Sequence, residues 1–406
     1  MTQVATPVRV AAGEELAYGR AVMRHFHEDA TDRQLERWLP VLRAEDYRGW
    51  AVWDGDEVVG TFGAHATSIS LPGGGRLPAA GMTAVGVAQT HRRRGILRTM
   101  MGAALDEAVD HGESVAVLWA SESPIYPRFG FGVVAPGVVH RIEGGVAFRD
   151  PVDPGLVTAA GLEEAERDWP GIFERLRTQR PGCVTRNEHQ WRLAFLEDSH
   201  DERDGASGRR LAHVPGRGYV AYRVKPRAGR TLLPDGQVQV QELVATDPEA
   251  EAALWQHVCD IDLTTGVEAW FRPPDDPLCE LLVDPLRAHT SVGEPLYARL
   301  LDVAAAFSAR SYAAEGTVAV AVVDRDRDQS GVYRLDAHPE GGEIRRVHDD
   351  PEITLPVEVA GALWLGGVRA VQLLGARRLQ EHVPGAAGRL DRLLAVERLP
   401  WTPFEF

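Results

Sequence analysis

The chain has 406 residues, 59 acidic against 44 basic side chains, a formal net charge of −15 and an apolar content of 44%. That length exceeds what one hydrophobic core usually serves, so two or three domains are expected. The acidic balance argues against a general nucleic-acid binder, which carries a basic surface, and suits a cationic amine drawn to a negative cleft.

Cys183, Cys259 and Cys279 are scattered and form no CxxC pair. No disulfide framework is expected, and the setting read from them is reducing and cytoplasmic. Met1 to Val10 shows no apolar leader, and no run reaches the ~18 apolar residues of a membrane span. His25, His27, His65 and His111 have no metal-ligand spacing, so no metal is expected.

In chain order, Glu14 to Ala30 and Asp32 to Leu42 read as amphipathic helices. Trp50-Ala51-Val52-Trp53, Asp54-Gly55-Asp56-Glu57 and Val58-Val59-Gly60-Thr61-Phe62 make a hairpin signature. Strands are expected near 63–71 and 76–87, joined by the Pro72-Gly73-Gly74-Gly75 loop. Ile96 to Val109 repeats apolar residues at three-and-four spacing, the pattern of a helix with one buried face, and His111-Gly112 stops it. Ser114 to Ala120 is a short apolar run, hence a buried strand, and Val133 to Ile142 is expected to close the sheet. A second region carries helices at Leu162 to Arg177, Glu188 to Phe195 and Glu249 to Asp260, with strands at 217–224 and 237–244. A third carries strands at 318–323 and 331–335 and helices at 370–374 and 386–394.

The most informative segment is Arg92-Arg93-Arg94-Gly95-Ile96-Leu97-Arg98. It lies between a strand and a helix. The first amides of a helix point outward unpaired with the positive end of the dipole behind them, and arginines there add donors matched to phosphate oxygens. Cations at a helix start oppose the dipole unless an anion sits between them. A phosphate-bearing ligand, a nucleotide cofactor, is the reading these residues support. After the next strand comes Ser121-Glu122-Ser123-Pro124-Ile125-Tyr126-Pro127-Arg128-Phe129-Gly130-Phe131.

This order resembles the GNAT family of acyl-CoA-dependent N-acetyltransferases, whose turn reads Arg/Gln-x-x-Gly-x-Gly/Ala. Arg92 and Gly95 match, and Leu97 stands where that pattern has Gly or Ala. The Eis-type branch, bacterial aminoglycoside and amine acetyltransferases, is closer. Its turn often reads Arg-Arg-Arg-Gly-Leu/Ile-Leu. The Ser-Glu-x-x-x-Tyr-x-x-Phe-Gly segment, the chain length and the aromatic end at Phe406 agree with that branch.

The resemblance implies an α/β (α+β) fold with two GNAT-type domains in tandem and a C-terminal sterol-carrier-protein-like domain. The expected bounds are 1–147, 148–288 without a cofactor turn, and 289–406. It implies acetyl-CoA as co-substrate. The pantetheine arm would lie on the amides of Val85 and Val87. Arg92, Arg93, Arg94, Gly95, Ile96 and Leu97 would hold the pyrophosphate, with Ser121 also on the cofactor. Direct attack by an amine needs no enzyme nucleophile but does need an acid for the leaving thiolate and a base for the amine. Tyr126, a phenol of pKa about 10, is the expected acid. The branch uses the chain's own terminal carboxylate as base, here that of Phe406; its free pKa of roughly 3.3–3.7 rises on burial. Glu405, Phe26, Glu28 and Trp38 are expected to face the substrate. The branch often forms hexamers, so a homo-oligomer is expected. Two other readings stay open: a protein-lysine or small-polyamine acetyltransferase, and a non-catalytic acyl-CoA or lipid-binding protein.

Overall fold

A computed structural model describes residues 6–200, 203–226 and 235–406. Of the stretch read for a leader, residues 1–5 lie outside the described residues. No helix among the described residues is long and apolar enough to cross a membrane.

The first half builds strands β1 (Val8–Arg9), β2 (Tyr47–Asp54), β3 (Glu57–Ser70), β4 (Arg76–Val87), β5 (Val115–Trp119) and β6 (Gly132–Glu143). The second contributes β7 (Thr158–Ala159), β8 (Arg210–Val214), β9 (Gly218–Lys225), β10 (Gly236–Ala245), β11 (Thr264–Arg272) and β12 (Ala288–Leu300). All twelve form one sheet, in the order β1-β2-β3-β4-β5-β12-β6-β11-β10-β9-β8-β7.

That order corrects one expectation. The strand read at 133–142 does not close a sheet. It lies inside one, with β12 on one edge and β11 on the other. Residues 289–300, read from sequence as opening the third region, form most of β12 and fill the place between β5 and β6. Gly293 and Pro295 interrupt the β12 pattern, and its register with β6 shifts between Gly293 and Leu296.

Helices α1 (Glu15–His25), α2 (Asp32–Leu42) and α3 (Ile96–Asp110) belong to the first half, and α4 (Leu162–Gln179) and α5 (Pro248–Cys259) to the second. Thr31 starts α2 through a reciprocal capping box with Gln34, which satisfies two end donors at once. The helix expected to run from 14 to 30 stops at His25, because His27 takes a left-handed conformation (φ 62°) and turns the chain. α3 buries Ile96, Met100, Met101, Ala104, Leu105 and Ala108, the face its spacing marked.

The remaining chain forms α6 (Leu278–Leu281), α7 (Val303–Ser308), β13 (Gly316–Val323), β14 (Gly331–His338), β15 (Gly341–Val347), β16 (Ile353–Pro356), α8 (Val357–Trp364), α9 (Ala370–Gly375), β17 (Gln380–Glu381) and α10 (Ala386–Leu394). Its five strands make a separate sheet, β15-β14-β13-β16-β17. α8 rests directly on the large sheet. A Cβ on Gly132 of β6 would stand 1.7 Å from the Glu358 carbonyl oxygen, so only glycine admits this approach. The apolar interior of this unit, lined by residues such as Phe307, Tyr333 and Leu363, leaves a cavity of only about 30 Å³.

Candidate active site

The site begins where two strands part. β4 and β5 run parallel and pair from Ala79–Val115 to Met82–Leu118. β5 then ends at Trp119 while β4 continues to Val87. From Thr83 onward the edge of β4 that faced β5 has no strand partner, so its N–H and C=O groups need another one. A bulge marks the place. Ala84 and Val85 together oppose Phe62, and Ala84 is left-handed at φ 53°. Bulges of this kind end pairing and re-aim the strand. Val85 and Val87 both line the resulting cleft, whose volume is about 1040 Å³.

The arginine turn closes one end of the cleft. Arg93 (φ 64°) and Gly95 (φ 85°) are both left-handed, which curls successive amides into a concave anion nest. Gly95 is the N-cap of α3 and provides no side-chain cap, and no acidic residue stands in the first turn. The amides of the α3 start are therefore free to meet an anion. Arg92, Arg93, Gly95, Ile96 and Leu97 line the cleft, and so does Arg98. Arg93 and Arg98 have no hydrogen-bond or ion-pair partner among the described residues. Arg92 lies 3.7 Å from Glu122. Arg94 is apart from the lining; it donates to the Thr90 carbonyl at 2.9 Å and holds the turn. These donors fit a pyrophosphate, which needs amides and guanidinium groups converging on adjacent oxygens.

The tyrosine segment forms one wall. Residues Ser123–Phe129 wind as a 3₁₀ turn that Gly130 ends at φ 79°. Tyr126 lines the cleft and packs against Phe131 and Tyr297, both with ring centroids at 6.1 Å. Its hydroxyl has no hydrogen-bond partner among the described residues. Burial first, then the negative potential of Glu122 and Tyr297, pushes the phenol up to about 12. Ser121 also lines the cleft.

The chain end forms the opposite wall. Trp401 donates its amide to the Pro181 carbonyl at 3.0 Å, and its own carbonyl accepts from Cys183 Sγ at 3.0 Å. Trp119 Nε1 donates to the Phe404 carbonyl at 2.9 Å. Thr402 is fully buried. Glu405 and Phe406 emerge from this anchored segment into the cleft. Phe406 fills space left by Gly81, where a Cβ would meet its ring at 3.1 Å.

His25, Phe26 and His27 also line the cleft, at the end of α1. His25 Nδ1 lies 3.1 Å from Thr61 Oγ1. Burial and then Arg24 lower its pKa to about 4, so the ring is neutral at pH 7. Glu405 keeps an open face, yet the surrounding protein, followed by the charges of Glu294 and Glu28, raises its carboxyl pKa. Glu28 thus faces the site electrostatically without being part of its wall. Trp38 sits half-buried on α2, away from the cleft lining.

Trp119 and Arg128 line the cleft without having been expected there, and Arg98 lines it although no role was expected for it. Arg98 was visible as the fourth arginine of the turn. Glu294 of β12 does not line the cleft; its charge acts on Glu405 there, and nothing local marks it in the sequence.

The chain is similar to known proteins over most of its length. Three family models match: an acetyltransferase (GNAT) domain over residues 9–134, a second acetyltransferase (GNAT) domain over 182–300, and a sterol carrier protein domain over 303–403. An uncharacterized N-acetyltransferase of Streptomyces avermitilis is 38% identical over 392 residues, covering 93% of each chain. N-acetyltransferase Eis of Mycobacterium bovis is 32% identical over 362 residues, 87% of each chain. The crystal structure of Eis1 from Mycobacterium abscessus superposes with a TM-score of 0.84 at 29% identity, over 98% of this chain and 100% of that one.

Proposed function

The chain belongs to the Eis-type family of GNAT N-acetyltransferases, acyl-CoA-dependent enzymes, and we propose that it acetylates amino groups of aminoglycosides or similar polyamines by direct attack in a ternary complex. The observation that carries this reading is one cleft that joins the arginine nest, the unpaired β4 edge, Tyr126 and the Phe406 end.

Acetyl-CoA bound along β4 would supply the acetyl thioester. The Phe406 carboxylate takes a proton from the incoming ammonium or amine, directly or through water. The amine nitrogen bonds to the thioester carbonyl carbon, and Tyr126 gives its proton to the sulfur as the carbon–sulfur bond breaks, so the leaving group departs as a neutral thiol; the proton shed by nitrogen returns through solvent to the phenolate. Free amides of β4 are placed to orient the thioester.

Carboxylates support a cationic acceptor. Glu28, Glu294 and Glu405 make no ion pair among the described residues, and their charges converge near the chain end. The cleft of about 1040 Å³ runs from the arginine turn to His25, Phe26, His27 and Glu405, so the acceptor end adjoins the cofactor end in one space. The lipid-carrier reading is weakened by the C-terminal cavity of about 30 Å³, far below the roughly 300–1,000 Å³ of small-molecule sites. The homo-oligomer that goes with the proposal, a hexamer, rests on the resemblance alone; a monomer by light scattering would remove it.

The test is release of free thiol from acetyl-CoA with aminoglycosides, spermidine and a lysine peptide as acceptors. Turnover with aminoglycosides, at more than one thiol per molecule, is expected. Turnover confined to peptide or spermidine refutes the aminoglycoside assignment.

Two substitutions separate the ends of the cleft. Arg93→Ala should raise the acetyl-CoA KM about tenfold, the worth of one charge-assisted hydrogen bond of ~1.5 kcal/mol, and leave kcat nearly unchanged. An unchanged KM would take Arg93 out of the cradle. Glu294→Gln should raise the polycation KM several-fold at low ionic strength and less in salt, because screening removes an exposed charge's contribution. Equal effects on a neutral-bodied monoamine would show that its charge is not what matters.

A further inference from the structure

The rings at the chain end meet an arginine from the second half of the molecule. The Arg186 guanidinium carbon lies 4.1 Å from the Phe404 ring centroid, 4.4 Å from Trp191 and 4.8 Å from Phe195. Arg186 also donates to Glu242 in a two-pronged pair, at 3.2 and 2.5 Å, and Tyr219 donates its hydroxyl to the same carboxylate at 2.5 Å. Both charges are buried. Glu242 belongs to β10 and Arg186 follows α4, so this mount lies wholly in the half that has no arginine turn.

A buried ion pair adds little net stability over apolar side chains of the same volume, because desolvation offsets its attraction. What a planar guanidinium does add is orientation: its edges are fixed by the carboxylate, and its faces take rings at a defined angle. Phe404 is therefore held at its ring by Arg186 and at its carbonyl by Trp119, a cleft residue. Two residues later comes the terminal carboxylate.

We propose that Arg186, held by Glu242, is a positioning residue for catalysis that fixes the Phe404 ring and so aims the Phe406 carboxylate into the cleft. The second GNAT-type unit, lacking the arginine turn, thereby serves the reaction as the mount of the chain end. This rests on the reading of that carboxylate as the base.

The test uses Arg186→Lys, which keeps the charge but loses the flat fork, and Phe404→Leu, which keeps an apolar side chain but loses the ring. Each is assayed for kcat, for acetyl-CoA KM and for release of Phe406 by a carboxypeptidase. Both variants should lose kcat by roughly 100-fold, as expected for small misplacement of a reacting group. Their acetyl-CoA KM should stay within twofold, and Phe406 should be released faster than from the parent. Unchanged kcat and release in the variants overturn the proposal, as does a kcat loss without faster release. A two-glycine extension of the parent separates the premises. If the extension leaves turnover intact, the base assignment fails. If it abolishes turnover while faster release in the variants leaves kcat unchanged, the mount alone fails.

Discussion

Tyr126→Phe should lower kcat by about 10²–10³-fold while the acetyl-CoA KM stays within twofold, the signature of a lost general acid. The substitution removes one hydroxyl and keeps the ring that packs on Phe131 and Tyr297. A tyrosine present only for packing would lose nothing measurable, since its hydroxyl has no partner among the described residues to orphan. Steady-state kinetics therefore decide between the two roles. The pH dependence adds a second check. Because burial pushes the phenol up to about 12, the parent should show no loss of kcat from Tyr126 ionisation between pH 7 and 10. The sign for stability follows the same shift. The folded state favours the neutral phenol, so this contribution is full below the unfolded value of about 10 and is lost as pH rises through 12.

Adding two glycines after Phe406 should reduce kcat at least 100-fold with little change in melting temperature or acetyl-CoA KM. The anchors lie upstream, at Trp401, Thr402 and Phe404, and the extension leaves them untouched. The carboxylate, however, would move up to about 7 Å, two extended residues further along. A base must stand within hydrogen-bond reach of the proton it takes. Intact turnover in the extended protein would exclude the terminal carboxylate from that role.

Much of the first half was legible from local signals. The α3 face follows from three-and-four spacing, α2 from its amphipathic pattern, and the β2–β3 hairpin from Asp-Gly at its tip. The arginine turn ahead of α3 was legible because arginines at a helix start oppose the dipole and so stand out in the sequence. β12 was not, since Gly293 and Pro295 break its alternation and its partners β5 and β6 lie more than a hundred residues back. Glu294 was hidden for the same reason. Trp38 illustrates the opposite failure. Its position in the first two expected helices made it a candidate, but it stands on the same face of α2 as buried Leu35 and Val41 and does not line the cleft. Arg186 and Glu242 carried no local signal, because each is an ordinary charged residue until the fold encloses them with four aromatic rings.

The insertion of β12 also governs how the protein must be made. The Val115–Trp119 edge is wholly apolar, and its neighbour Leu296–Leu300 is translated some 180 residues later. At about 5–20 residues per second, that edge waits on the order of ten to thirty seconds on the ribosome without its strand. An exposed apolar edge is a template for wrong pairing. The newborn chain thus passes through a vulnerable interval that a simple N-to-C assembly of separate domains would avoid, and its catalytic half cannot mature before the partner half has emerged.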